Sequence, residues 1–399
     1  LKTWREKFRG FEPVPPEVVK EGPLQENIME GDDVDLNAFP APIWHEHDGG
    51  RFLGTGCGVI TMDPDTGVNN IGTYRCQIQE KNTISVKVNK GKHGRLNMEK
   101  YHEAGKPCPM AISVGHAPSL FMAGWFPVNA PEYDIIGWLQ GFPAQVIKSP
   151  HSGLLLPATG EIVLEGEVPV DGEMPKEGPF GEWPGYYADT TTGEIPLMHV
   201  KRVYYRNNPI ILGVPPLKPP NNYISIPLGA VMLWDQLETA GIPGITGVWG
   251  YVYSERAGLL TVISIKQSYA GHSKQTLLAA VGAGACAYGG KFVIVVDEDV
   301  NVADLQDVMW AVTTRCHVRD AVDIVKDVWV SPADPALPLE QRFPPPGTNM
   351  ELHGYTSDRV LIDACRPYRW KDQFPLTNAF SDEEKEEIAR KWKLDGDEE

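Results

Sequence analysis

The sequence is short of positive charge: 36 Lys and Arg stand against 53 Asp and Glu, a formal net charge of −17 over 399 residues. Nucleic acid and anionic membrane surfaces reward clustered cations, so neither is an expected partner. An anionic small molecule would have to be held by a few local cations. No apolar run approaches the ~20 residues needed to span a bilayer, and no signal peptide opens the sequence, so no membrane span is expected. Cysteine is scarce too. Cys57, Cys76, Cys108, Cys286, Cys316 and Cys365 are dispersed without a C-x-x-C pair, which argues against structural zinc or a disulfide framework and for a reduced, cytoplasmic protein. Internal repeats and low-complexity tracts are also missing.

What is present is an ordinary globular composition, 42% apolar and 22% charged, long enough for two or three domains. Gly (40) and Pro (35) are scattered among apolar runs, a pattern of many turns and short strands. Residues 1–37 read as a polar, proline-rich connector that starts as though inside a helix. Strands are predicted over 52–62, 83–88, 161–168 and 199–215, with a helix over 132–140 between them; such spacing suggests a barrel or sandwich. From residue 217 the texture changes. Asn221 and Asn222 lie in an exposed-looking connection, 228–240 reads as a linking helix, and strands over 247–254, 259–266 and 292–296 alternate with helices around 274–287 and over 302–314, the latter capped by Asn301. A tail helix over 381–392 carries a capping box, Ser381 with Glu384, and stacks Ile388 and Trp392 at i,i+4.

The chemistry concentrates in Glu177-Gly178-Pro179-Phe180-Gly181-Glu182. Its Gly-Pro-Phe-Gly core cannot be a regular helix, so the two carboxylates flank a tight loop. Nearby carboxylates in an apolar setting rarely ionise equally, an arrangement suited to proton transfer, although the segment alone also describes a solvated turn. Upstream, Asn70-Ile71-Gly72-Thr73-Tyr74-Arg75 offers an amide and a guanidinium around a glycine. Lys90-Gly91-Lys92-His93-Gly94-Arg95 offers cations, an imidazole and backbone N–H groups suited to phosphate. His45 and His47 share a strand-like spacing, but the following Asp48-Gly49-Gly50 makes a loop the expected reading rather than a metal site. Asp297-Glu298-Asp299, just past a strand, reads either as an acidic turn or as a ligand position.

The order Asn70, Arg75, Lys92-His93, Glu132, Glu177, Glu182 closely resembles the UbiD family of prenylated-FMN-dependent decarboxylases. The resemblance extends to Pro40-Ala41-Pro42-Ile43-Trp44-His45 with Asp48-Gly49-Gly50, to the run from Leu155 through Glu161-Ile162-Val163-Leu164-Glu165-Gly166, and to 295–300 with Trp310-Ala311 and Thr313-Thr314-Arg315. It implies an α+β and α/β multidomain protein: a split β-barrel flavin-binding domain over 41–216, a linker and hinge helix over 217–240, and a C-terminal α/β oligomerisation domain over 241–370. Residues 1–40 would be a connector from which the family's N-terminal segment is absent, and 371–399 an inter-subunit tail. It further implies non-oxidative, reversible decarboxylation of an aromatic, possibly phenolic, or α,β-unsaturated acid.

Carried over residue by residue, Arg75, Glu177 and Glu182 are the catalytic network, with Arg75 clamping the substrate carboxylate and Glu182 donating the proton that replaces CO2. Asn70, His93 and Glu132 are the ligands of Mn2+, with K+ as an optional further ion, and 70–75, Lys92, His93 and Glu132 line the prenylated FMN. Lys274 is a candidate for cofactor phosphate across the domain cleft. Lys92 and Trp183, beside motif residues, suit a polar planar acid. A flavin prenyltransferase would supply the cofactor, and the chain would form a homodimer or larger homo-oligomer. Two alternatives remain at this stage: a flavin-free metal-dependent hydrolase using Asn70, His93 and Glu132, and a non-catalytic subunit of a carboxylase complex.

Overall fold

The computed structural model describes residues 1–88, 91–124, 126, 130–187, 195–218, 228–251, 258–287, 289–331, 333–342, 354–378 and 380–392. Lys90, Asn221 and Asn222 fall outside them. The stretch read as a connector opens with helix α1 (Lys2–Arg9). Its aromatic side chains fix it in place: Phe8 stacks on Phe126 with ring centroids 4.7 Å apart, and Phe11 meets the edge of Trp138 at 5.1 Å.

Short strands follow, β1 (Glu17–Val18), β2 (Asn27–Glu30), β3 (Phe52–Gly54), β4 (Gly58–Met62), β5 (Asn69–Gly72), β6 (Arg75–Glu80) and β7 (Thr83–Lys87). After α2 (His93–Glu103) come β8 (Cys108–Val114), α3 (Pro118–Ala123) and α4 (Glu132–Gln140). The first half ends with β9 (Gln145–Lys148), β10 (Leu155–Pro157), β11 (Ile162–Val168) and β12 (Leu197–Tyr205). Nine of these strands make one sheet in the order β3-β6-β7-β12-β11-β8-β4-β5, with β2 added on β12. That path does not close into a barrel among the described residues. Val59, Ile84, Val86, Ile112 and Leu164 bury the sheet's core, as β-branched and aliphatic runs should.

Two predicted strands change length for visible reasons. The run over 52–62 is two strands, because Gly54 lies against Cys57 and Cys76, where a Cβ would come within 2.6 Å of the Cys57 sulfur. The run over 199–215 stops at Tyr205: Asn208 turns with φ 51°, and Pro209 has no N–H to give a ladder.

The second half begins with α5 (Leu228–Thr239), then β13 (Ile245–Tyr251), β14 (Leu260–Ile265), α6 (His272–Gly282), α7 (Gly284–Ala287), β15 (Phe292–Asp297) and α8 (Leu305–Arg315). Strands β16 (Val322–Trp329) and β17 (Thr356–Ala364) complete a mixed five-stranded sheet in the order β13-β14-β15-β17-β16. Its central pairs are parallel and its outer pairs antiparallel. Helix α8 starts later than predicted because Asp304, not Asn301, accepts from the Gln306 and Asp307 N–H groups; Asn301 closes the preceding turn instead. The tail helix Asp382–Trp392 has its predicted capping box, Ser381 N–H to Glu384 at 2.8 Å and Glu384 N–H to Ser381 Oγ at 3.1 Å. All six thiols are free, and no helix among the described residues is long and apolar enough to cross a membrane. The whole is a mixed α+β multidomain fold.

Candidate active site

Arg75 is the first residue of β6, paired with Lys87 across the ladder to β7. Its guanidinium gathers both ends of the Glu-Gly-Pro-Phe-Gly-Glu loop. Nε and Nη2 donate to the two oxygens of Glu177 at 2.5 and 2.6 Å, and Nη1 donates to Glu182 Oε1 at 2.5 Å. The Arg75 and Glu177 side chains are almost sealed from solvent, at 10% and 0% exposure, whereas Glu182 keeps 16%. Beneath this ion cluster lies Phe180, whose ring centre is 4.9 Å from the Arg75 guanidinium carbon. Such a face attracts the cation and excludes water from its far side. The segment is thus not a solvated turn.

The loop is held by Gln77, which the sequence did not single out, and by the His45 and Asp48-Gly49 turn. Gly178 N–H donates to Gln77 Oε1 at 2.9 Å, and Gly49 N–H donates to the Pro179 carbonyl at 2.7 Å. Gly49 has to be glycine, because a Cβ there would fall 1.8 Å from the Gly178 carbonyl oxygen. Gly181 N–H donates to Asp48 Oδ1 at 3.0 Å, and the other Asp48 oxygen accepts from the His45 backbone and ring Nδ1, each at 2.9 Å. The Asp48-Gly49-Gly50 turn was legible as a turn; its role as the cradle of a loop 130 residues later carried no sequence signal. His45 therefore belongs to this support and not to a metal site. Glu182, His45, Tyr186, Tyr187 and Lys218 border a cavity of about 70 Å³.

A second group forms where β5 packs against α2 and α4. Asn70 Nδ2 donates to Glu132 Oε1 at 2.9 Å, and Ile71 N–H donates to Glu132 Oε2 at 3.0 Å. Burial pushes the Glu132 carboxyl up to about 7, against the pull of those two donors. Asn70 Oδ1 is buried without a hydrogen-bond partner. An orphaned amide oxygen beside a carboxyl that resists its charge is a pair of hard oxygen donors suited to a divalent cation. His93 opens α2 and is exposed. The structure thus joins two of the three expected ligands, and among the described residues no three His, Cys, Asp or Glu side chains cluster for a metal. Tyr74 folds its ring over Gly72 and beside Gly94, 2.5 and 3.1 Å from where their Cβ atoms would stand. Lys92 is the exposed N-cap residue of α2.

Two other candidates are used structurally. Lys274 pairs with Asp323 on β16. Asp297 and Asp299 are neutralised by Arg315, with Arg366 also donating to Asp297 at 3.0 Å, so this acidic turn is a salt-bridged strand end.

Known proteins resemble this chain over both halves. The family model described as the 3-octaprenyl-4-hydroxybenzoate carboxy-lyase Rift-related domain (UbiD) matches residues 17–219, and the corresponding C-terminal domain model matches 223–364. The phenolic acid decarboxylase of Sedimentibacter hydroxybenzoicus is 32% identical over 373 residues, covering 89% of this chain and 72% of that protein. The pyrrole-2-carboxylic acid decarboxylase of Pseudomonas aeruginosa is 32% identical over 327 residues, covering 77% of this chain and 63% of its own length. Among solved structures, the UbiD-class enzyme HmfF from Pelotomaculum thermopropionicum in complex with FMN superposes with a TM-score of 0.81 at 27% identity, covering 97% of this chain and 82% of that one. Sequence models spanning both halves and a shared fold over nearly the whole chain lead to one conclusion: the chain belongs to the UbiD family of carboxy-lyases.

Proposed function

We propose that this protein decarboxylates an aromatic, phenolic or otherwise α,β-unsaturated acid without net oxidation, using prenylated FMN, with Arg75 holding the substrate carboxylate and Glu182 donating the replacing proton. The observation that carries this reading is the convergence of Glu177 and Glu182 on one guanidinium, with Glu182 bordering a cavity. Relatives act on phenolic and pyrrole carboxylic acids, and HmfF was solved with FMN. When bound, the flavin supplies the electron sink that departure of CO2 requires.

The chain's own residues supply orientation and a proton. Glu177 grips Arg75 through two parallel bonds, which fixes the guanidinium plane and turns Nη1 toward Glu182. An incoming carboxylate competes with Glu182 for that edge. Once displaced, Glu182 lies beside a second anion and no longer against the cation, so it takes up a proton. As the bond to CO2 breaks, that proton forms the new C–H bond, with Glu182 as general acid. Reversal at high bicarbonate follows the same path.

Asn70, His93 and Glu132 would hold Mn2+, and residues 70–75 with Lys92, His93 and Glu132 would line the cofactor; the orphaned Asn70 oxygen supports this set. K+, a split-barrel description of the first sheet, the 41–216, 217–240 and 241–370 division, a homo-oligomer and a partner flavin prenyltransferase belong to the same reading. The test is protein co-produced with a flavin prenyltransferase, examined by ultraviolet–visible and mass spectra and screened with phenolic, pyrrole and unsaturated acids. Prenylated flavin and CO2 release are expected. Metal without flavin, and no CO2 from any acid, would overturn the proposal and restore the hydrolase alternative.

A further inference from the structure

His45 joins three segments far apart in sequence. Its ring Nδ1 lies 2.9 Å from Asp48 Oδ2, and its Nε2 lies 2.7 Å from the Pro216 carbonyl oxygen. Both partners accept only: a carboxylate on one side and a carbonyl on the other. A neutral imidazole carries one N–H and would set a lone pair against one of them. Both bonds form together only when both ring nitrogens carry protons.

The ring is also packed against the loop whose end it guards. Phe180 meets it edge-on with centroids 5.5 Å apart, and Tyr187 does so at 6.3 Å. A Cβ on Gly181 would stand 3.0 Å from His45 Nδ1. Asp48, which receives the Nδ1 proton, also receives the Gly181 N–H, and Gly181 is the neighbour of Glu182. The charged and titratable groups facing this point are Asp48 from the same turn, Glu182, Tyr186 and Tyr187 from the loop and its continuation, and Lys218 beyond Pro216. Pro216 closes the segment that leaves the nine-stranded sheet toward α5.

We propose that His45 is a positioning residue: carrying a proton on each ring nitrogen, it ties Asp48 to the Pro216 carbonyl and so fixes the Gly181–Glu182 end of the loop against the segment leading to the second half of the molecule. The inference rests on the proposed role of Glu182. With only one ring proton, one of the two bonds would be lost and the loop end would be held less firmly.

The experiment is a nitrogen-15 NMR titration of histidine-labelled protein, on both the holoenzyme and flavin-free protein, with His45 assigned through its contacts to the Phe180 and Tyr187 rings. Two protonated ring nitrogens are expected at the pH of the kinetic assay, as the two acceptors require. A bare nitrogen on His45 at that pH overturns the inference and leaves the decarboxylase reading intact; a doubly protonated His45 in protein that turns over no acid does the reverse. In kinetics, His45→Gln should lower kcat by about ten- to a hundredfold, the scale of a small misplacement of a reacting group. Flavin content should be unchanged, and His45→Arg, which keeps two donors and the charge, should recover part of the loss. An unaltered kcat in His45→Gln would also overturn the inference.

Discussion

Two clusters in this molecule are built alike, with two carboxylates around one arginine over an aromatic ring, yet they differ in what surrounds them. Arg315 sits 4.7 Å above the Trp310 ring and binds Asp297 and Asp299, all within 19 residues of chain at the end of β15 and along α8. Its side chain is 1% exposed and that of Asp297 is 0%. Arg366 joins from beyond β17, so the named charges balance at two and two. Arg75 instead collects acids 102 and 107 residues away, and one of them, Glu182, reaches a cavity. The Arg315 cluster still reaches solvent through Asp299, 36% exposed, and Arg366, 24% exposed, but its charges are matched, and matched charges hold a strand end in place. At Arg75 two carboxylates share one guanidinium and one of them borders a cavity, so that edge is one at which a ligand can compete.

The sharpest way to break this comparison is to exchange the effects. Glu182→Gln should cut kcat by about 10²- to 10⁴-fold, the usual worth of a positioned acid, with flavin retained and the melting temperature unmoved; steady-state kinetics and calorimetry check both. Asp297→Asn should do the opposite. Arg315 and Arg366 would then share Asp299 alone, one positive charge in excess, so up to about 3–5 kcal/mol of stability should be lost in denaturant titration, while the folded fraction keeps its turnover. A Glu182 variant that melts early, or an Asp297 variant that folds well but is inactive, would erase the distinction.

Acid should separate the two regions next. His116, just past β8, has its imidazole pushed down to about 4 by burial, partly offset by Ser113. The unfolded chain therefore binds that proton first, so the stability His116 contributes is complete above 6.5 and is lost as pH falls from 6.5 to 4. Burial raises Asp299, but the hydrogen bond and charge of Arg315 outweigh it and hold the carboxyl below its usual 3.8. Its contribution survives until pH falls below that value. Glu132 in the same half works the other way, because its carboxyl, raised to about 7, binds a proton first in the folded state as pH falls. The His116 effect is therefore read by difference: between pH 7 and pH 5, His116→Gln should lose less hydrogen-exchange protection around β8 than the unaltered protein does.

The smallest effect expected is a control outside both clusters. Ser381→Ala removes one half of the capping box and should cost the tail helix about 1 kcal/mol, seen as faster exchange over Asp382–Trp392, with kcat and global stability unaltered.

The sequence by itself determined the kinds of elements and the family. Acidic balance disfavoured nucleic acid, β-branched runs marked the strands, Ser381 with Glu384 marked a helix start, and the Glu-Gly-Pro-Phe-Gly-Glu run with Arg75 pointed to the family. These are local properties, carried by neighbours in the chain. Strand ends were less legible, because Gly54 and Pro209 end their strands through packing and a missing donor that depend on what lies opposite. Only the tertiary structure decided that Lys274 belongs to Asp323, that Asp297 belongs to Arg315 and Arg366, and that Gln77, Gly49, Asp48 and His45 carry the loop. Each of those partnerships spans a distance in sequence that no spacing rule reaches, and each depends on which strands pair, in which register, and where a Cβ would not fit.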